Sequence, residues 1–187
     1  MKSQDIVILL KLLSLEEKEE LGLLHDLNGL SGSVDPYAVR SLESSLGISK
    51  TEVSASLNRS TSSALATKVH GRIRPNRRNL YEFIAHGLKY VFPAKPGAPQ
   101  RGTPTAFAAP MLDGQLISAG EDIYVWPYAH GKKRGLAVKP LYGSVAEAVL
   151  KDERLYEYLA LVDAIRLGNQ REANLAQKKL EQRLLER

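Results

Sequence analysis

The sequence predicts an α+β protein, mainly helical with a small amount of sheet. Apolar residues recur at helical spacing through the first third of the chain and again through its last quarter. Between these lie short β-leaning runs, at residues 64–69, 123–128 and 135–142. Composition agrees: 43% hydrophobic and 25% charged residues leave enough apolar material for a packed core. The 187 residues suffice for one sizeable domain, or a small one with an appendage.

Residues 3–13 read as a helix, with Ser3 as cap, Asp5 complementing the dipole, and Ile6, Leu9, Leu10 and Leu13 on one face. Val7, Ile8 and Leu12 make the other side apolar too, so this helix is expected to be buried all round. Residues 15–26 read as a further helix, with Ser14 and Glu17 offering a capping box. Residues 28–36 are a loop by composition.

Residues 37–62, YAVRSLESSLGISKTEVSASLNRSTS, read as two short helices around a tight corner. Leu42 and Leu46 lie one turn apart on the first, Val53 and Leu57 on the second. Gly47 can take the left-handed conformation that ends a helix, and Ile48 can plug the corner. Ser49 and Glu52 form a Ser-x-x-Glu start for the second helix. This spacing is the helix-turn-helix pattern. Any two packed helices need a glycine corner and buried leucines, so the outer face decides what the pattern is for. That face is Lys50, Thr51, Ser54, Ala55 and Asn58, with Arg59 behind. A solvated face usually mixes Glu with Lys. A face meant for the major groove of double-stranded DNA needs donors and little bulk.

Charge distribution points the same way. The net charge is +5, and segments 1–66, 67–101, 102–143 and 144–187 carry −3, +7, +1 and 0. The excess sits directly after the second helix, as expected for a polyanion partner. Residues 64–69 read as a strand and 70–76 as a wing loop, whose Arg72 and Arg74 would reach DNA backbone or minor groove. Arg77 and Arg78 would join them on phosphates, at the start of a helix over 77–87 capped by Asn76. Tyr90 and Phe92 are expected in a buried extended segment.

From residue 94 the proline- and glycine-rich AKPGAPQRGTPTAFAAP is expected to lack regular structure. Residues 123–128 and 135–142 read as a hairpin with Lys132, Lys133 and Arg134 at its tip. Ser144 with Glu147, Asp152, and Asn169 with Glu172 mark three helix starts, and Gly168 ends the helix before the last. Leu155, Leu159, Val162 and Ile165, then Ala173, Ala176, Leu180 and Leu184, face inward. The last two helices suit a dimerisation or partner-binding element, or simply close the core. The division expected is 1–93, a winged helix-turn-helix DNA-binding domain, and 94–187, a hairpin and helical dimerisation or partner-binding region.

No catalytic, metal or cofactor motif stands out. His25, His70, His86 and His130 fall in separate elements, and no phosphate loop or nucleophile elbow is present. Asp113, Glu121 and Asp122 cluster near a turn; a carboxylate pair there could do acid–base work, but loops of this composition are usually just solvated. Absence of cysteine excludes disulfides and suits a reducing cytoplasm. The N-terminal apolar run is too short to span a bilayer and lacks the marks of a signal peptide, so no membrane partner is expected.

The string SLESSLGISKTEVSASLNRSTSSALA resembles the recognition half of bacterial winged helix-turn-helix regulators, most closely the multiple-antibiotic-resistance-regulator (MarR-like) group. The whole chain, including HGLKYVFPAKPG, VWPYAHGKKRG and LYEYLALVDAIRLGNQRE, is similar to small bacterial proteins described as MarR-like regulators. The resemblance implies a homodimer that binds palindromic operators and represses nearby genes, with Lys50, Thr51, Ser54, Ala55 and Asn58 reading bases. Ala55 stands where such regulators often carry arginine, and the wing lacks their acidic-x-arginine-glycine tip. The extra C-terminal half admits a second expectation: an antitoxin-like autoregulator whose residues 94–187 bind a toxin or other partner protein.

Overall fold

The computed structural model describes residues 1–23, 35–112 and 123–186. It is a mixed α/β protein with small sheets, in two compact units, Met1–Asn76 and Arg77–Arg187. The boundary expected at 93 thus falls inside the second unit, and the helix after Asn76 belongs with the C-terminal half.

In the first unit, α1 (Ser3–Glu20) is one unbroken helix rather than two. Ser3 is its first helical residue, not its cap; the Lys2 backbone N–H donates to the Asp5 carboxylate at 2.8 Å. Ser14 lies mid-helix and fully buried, so it cannot start a new helix. Apolar residues on every side of α1 are buried, from Ile6 to Leu15. α1 packs on α3 (Lys50–Ser62), α2 (Val39–Leu46) and β2 (Arg72–Pro75). β2 pairs antiparallel with β1 (Ala66–Val69), Val69 opposite Arg72. The two turn residues, His70 and Gly71, both have positive φ (48° and 82°), the geometry of a two-residue hairpin turn that follows strand twist.

In the second unit, α4 (Arg77–Glu82) continues through a π-turn, Phe83–Gly87, into α5 (Leu88–Val91). The Leu88 N–H reaches back five residues to the Phe83 carbonyl. The widened turn turns the Ala85 carbonyl to a partner outside the helix, the Gln177 side chain of α8 (Gln170–Leu185), at 2.9 Å. Tyr90 is helical and 74% exposed, and Phe92 is the half-buried cap that ends α5, so neither lies in a buried extended segment.

The stretch expected to be irregular forms the central strand of a small closed barrel, β3 (Pro99–Thr105). β4 (Tyr124–Pro127) and β5 (Lys133–Ala137) each run antiparallel to β3 and parallel to one another, so they are not a hairpin. Two features make a strand of so proline-rich a segment. Pro99 is its first residue, where no ladder donor is required. Pro104 and Pro127 fall two pairs apart (Pro104↔Val125, Gly102↔Pro127), in the same alternate set of cross-strand pairs, so the other set can carry the hydrogen bonds.

β3 packs on α7 (Glu153–Leu167), and α6 (Val145–Ala148) packs on β4. Buried Asp163 of α7 accepts from Trp126 Nε1 at 2.6 Å, Thr105 Oγ1 at 3.0 Å and Arg166 Nη1 at 2.6 Å. Burial pushes its carboxyl up despite these three donors. The helix starts at Asp152 and Asn169 are used as expected, the second as a reciprocal box with Glu172; Ser144 makes no side-chain cap. Gly168 is required between α7 and α8, because a Cβ there would stand 2.4 Å from the Ala164 carbonyl oxygen. The eight residues expected to face inward on these helices are all buried. No described helix is long and apolar enough to cross a membrane.

Candidate nucleic-acid interface

The corner between α2 and α3 is built as its residues dictate. Gly47 adopts φ 64°, ψ 26°, and its N–H bonds the Glu43 carbonyl at 2.8 Å. Ile48 is fully buried beside Leu42 and Leu46. Ser49 Oγ accepts from the Glu52 N–H at 3.4 Å, but the reciprocal half of the box is absent. The Glu43 carboxylate instead accepts from the Lys50 N–H at 3.0 Å, placing a negative charge at the N-terminus of α3.

α3 buries Val53, Ser56, Leu57 and Ser60 and leaves Ser49, Lys50, Thr51, Ser54 and Asn58 exposed, with Ala55 half-buried between them. The face expected to read bases is therefore on the surface. The one carboxylate of α3 itself is occupied: Glu52 binds Lys2 Nζ at 3.1 Å and Arg59 Nη2 at 2.6 Å. The Arg59 and Lys2 hydrogen bonds hold its carboxyl below the usual range.

Arg59 faces inward rather than toward a groove. Its Nε and Nη2 donate to buried Asp5 at 3.0 and 2.6 Å, joining α3 to α1. Burial raises the Asp5 carboxyl, but the bonds from Arg59 and the Lys2 backbone more than offset this and leave it below the ordinary value.

The four arginines downstream are divided between the two units. Arg72 Nη1 lies 3.4 Å from Glu19 and its guanidinium 5.0 Å from the centre of the Tyr37 ring, while Tyr37 donates to Glu19 at 2.8 Å. Burial and the bond to Glu19 push the Tyr37 hydroxyl up. Arg74 stands 3.9 Å from Glu16. Arg77 and Arg78 belong to the second unit, Arg77 half-buried and Arg78 exposed. The +7 segment is thus divided: Lys68, Arg72 and Arg74 on one unit, the remaining cations on the other.

Among the histidines, His70 is exposed in the β1–β2 turn, His86 lies 3.5 Å from Glu82, and His130 packs edge-on against Tyr128. His25 and the Asp113, Glu121 and Asp122 group lie outside the described residues. Comparison with known proteins adds no relative: no family model, no curated protein and no solved structure matches the chain.

The Glu43 cap and the Asp5–Arg59–Glu52 bridge were missed in the sequence. Glu52 and Arg59 are two helical turns apart, so their contact had a local signal. Asp5 is 54 positions away and had none.

Proposed function

We propose that the chain is a sequence-specific double-stranded-DNA-binding regulator of the winged helix-turn-helix type, a homodimeric repressor of the MarR-like kind. In this reading α3 enters the major groove and the β1–β2 hairpin is the wing. The observation that carries it is the exposed stripe Lys50, Thr51, Ser54 and Asn58, beside which Glu52 is occupied by Lys2 and Arg59 and Glu43 caps the helix through the Lys50 N–H. Donor-bearing side chains of modest bulk suit base edges. Arg72 and Arg74 support it too. Arg72's partly exposed pair with Glu19 is worth at most about 1 kcal/mol, so a phosphate can displace that carboxylate at little cost; Arg74 keeps an exposed guanidinium 3.9 Å from buried Glu16.

The test is selection of binding sites from random duplex DNA by the full chain at low salt. A palindromic motif with half-sites one or two helical turns apart is the expected product. Enrichment of no motif would overturn the reading.

The size of the second unit favours one further reading, an antitoxin-like autoregulator. Arg77–Arg187 is the larger unit, far more than DNA recognition needs. Co-purification of the full chain with the product of the adjacent gene is expected in that case; a chain that purifies alone beside a soluble neighbour removes it.

A further inference from the structure

Across the β3–β5 ladder Arg101 stands directly opposite Arg134, and Lys133 opposite Gly102. Like charges at directly opposed positions destabilise a sheet. Lys132 adds a fourth charge to the same hollow, which Pro99 and Gln100 complete. All four cations are exposed, and none pairs with a carboxylate among the described residues. In the first unit, by contrast, Arg59, Arg72 and Arg74 each face an acid.

The cations cannot relax apart by moving the backbone. The turn carrying Lys132 lies flat on β3: a Cβ on Gly131 would come within 2.5 Å of Gly102 Cα. The Tyr128 N–H bonds the Arg101 carbonyl at 3.1 Å. A second hollow, walled by Pro127, Tyr128 and Ala129, shares Gln100 and Arg101 with the first. An elongated ligand can therefore run from one hollow into the other across Arg101. The Tyr128 ring, held edge-to-face by His130 at 5.6 Å, offers such a ligand one aromatic platform.

We propose that this barrel face binds single-stranded nucleic acid, phosphates on Arg101, Lys132, Lys133 and Arg134 and a base on Tyr128. A run of acidic side chains would satisfy the charges but does not bring a stacking ring with each of them, as a nucleotide does. A membrane surface would want exposed apolar side chains beside the cations. The site is separate from α3 and stands whether or not α3 reads DNA. A groove of cations next to an aromatic is the general device for sequence-tolerant single-strand binding.

The experiment is fluorescence anisotropy of the full chain with a labelled oligothymidine of about 16 nucleotides, the upper site size of one small barrel. Four phosphate contacts to a single strand imply an affinity drop of about fiftyfold between roughly 50 and 200 mM salt. The Arg101→Ala/Lys132→Ala/Lys133→Ala/Arg134→Ala variant is expected to lose at least about tenfold at the lower salt, and most of that salt slope. Tyr128→Ala, which keeps every charge, is expected to weaken binding about fivefold or more. Lys151→Ala/Lys178→Ala, two exposed cations of the same unit outside both hollows, is expected to leave it unchanged, which shows the loss is specific to this face. Arg134→Gln, which relieves the opposed pair, is expected to raise the Tm of the free protein while weakening the oligonucleotide. It also keeps the test valid if the fourfold variant does not fold. Unchanged oligothymidine binding in the charge variants overturns the proposal. So does polyglutamate or an anionic phosphatidylserine vesicle binding as tightly as the oligonucleotide with no effect of Tyr128→Ala.

Discussion

Arg59 donates two hydrogen bonds to Asp5, at 3.0 and 2.6 Å, and the Asp5 side chain is fully buried. The pair crosses from α3 to α1, so a residue that local spacing places beside a recognition face is a structural strut. Arg59→Ala leaves a buried carboxylate without its cation. The expected loss is about 3 kcal/mol, the low end for a broken buried pair because Arg59 keeps some exposure. Urea denaturation followed by circular dichroism measures it. If Arg59→Ala keeps wild-type stability but changes DNA-site preference, Arg59 is a groove residue after all.

The same pair sets an acid limit. The Asp5 carboxyl lies below its ordinary value of 3.8 in the folded state, so folding favours its ionised form. The contribution is fully present above that ordinary value and is lost as pH falls below it toward the folded value. Without Arg59 the burial that raises Asp5 loses its main offset, so the stability gap between wild type and Arg59→Met is expected to be constant near neutrality, to begin closing above the ordinary carboxyl value and to go on closing toward the lowered value of the wild type. A gap that stays constant to the lowest pH at which the protein folds would show that Asp5 is not the group responsible.

Two glycines separate a local conformational requirement from a packing one. Gly47 takes a left-handed φ of 64°, and that conformation alone makes Gly47→Ala cost about 1 kcal/mol and Gly47→Asn less. A Cβ on Gly102 would stand 2.1 Å from the Trp126 carbonyl oxygen, so Gly102→Ala must push β3 and β4 apart. It is expected to cost more than about 3 kcal/mol. Trp126 is the one tryptophan of the chain, and its near-UV signal reports the barrel directly. Equal stability of the two alanine variants would contradict this ranking.

What was legible in the sequence is what short-range chemistry decides. Gly47, buried Ile48 and the spacing of Leu42, Leu46, Val53 and Leu57 fixed the α2–α3 corner, and the exposed stripe of α3 followed from it. Asp152 and the Asn169–Glu172 box were readable for the same reason. The barrel was not. Pro104 and Pro127 look like strand breakers until the register puts both in pairs that need no hydrogen bond. The charge count over 67–101 was accurate as a sum, yet Arg72 and Arg74 meet acids from α1, and Arg101 belongs to a different surface. A sum along the chain carries no partner information.

The functional reading itself turns on a contrast between two sets of side chains. Lys50 and Asn58 lie exposed on α3, where bidentate donors could each contribute about 1–3 kcal/mol of discrimination between base pairs. Arg72 and Arg74 would touch phosphates, which carry no sequence. Lys50→Ala and Asn58→Ala are therefore expected to relax the motif selected from random duplex DNA, with little change in affinity for an unselected duplex. Arg72→Ala/Arg74→Ala is expected to weaken all duplexes alike and lower the salt slope by about 2, one per lost contact. Loss of the Arg72 pair with Glu19 should cost the fold no more than about 1 kcal/mol, and loss of Arg74 beside buried Glu16 more, so a urea melt of each single variant tells stability from binding. If both pairs of substitutions lowered every affinity equally, α3 would be contributing charge rather than base recognition, and the regulator reading would lose its sequence-specific part.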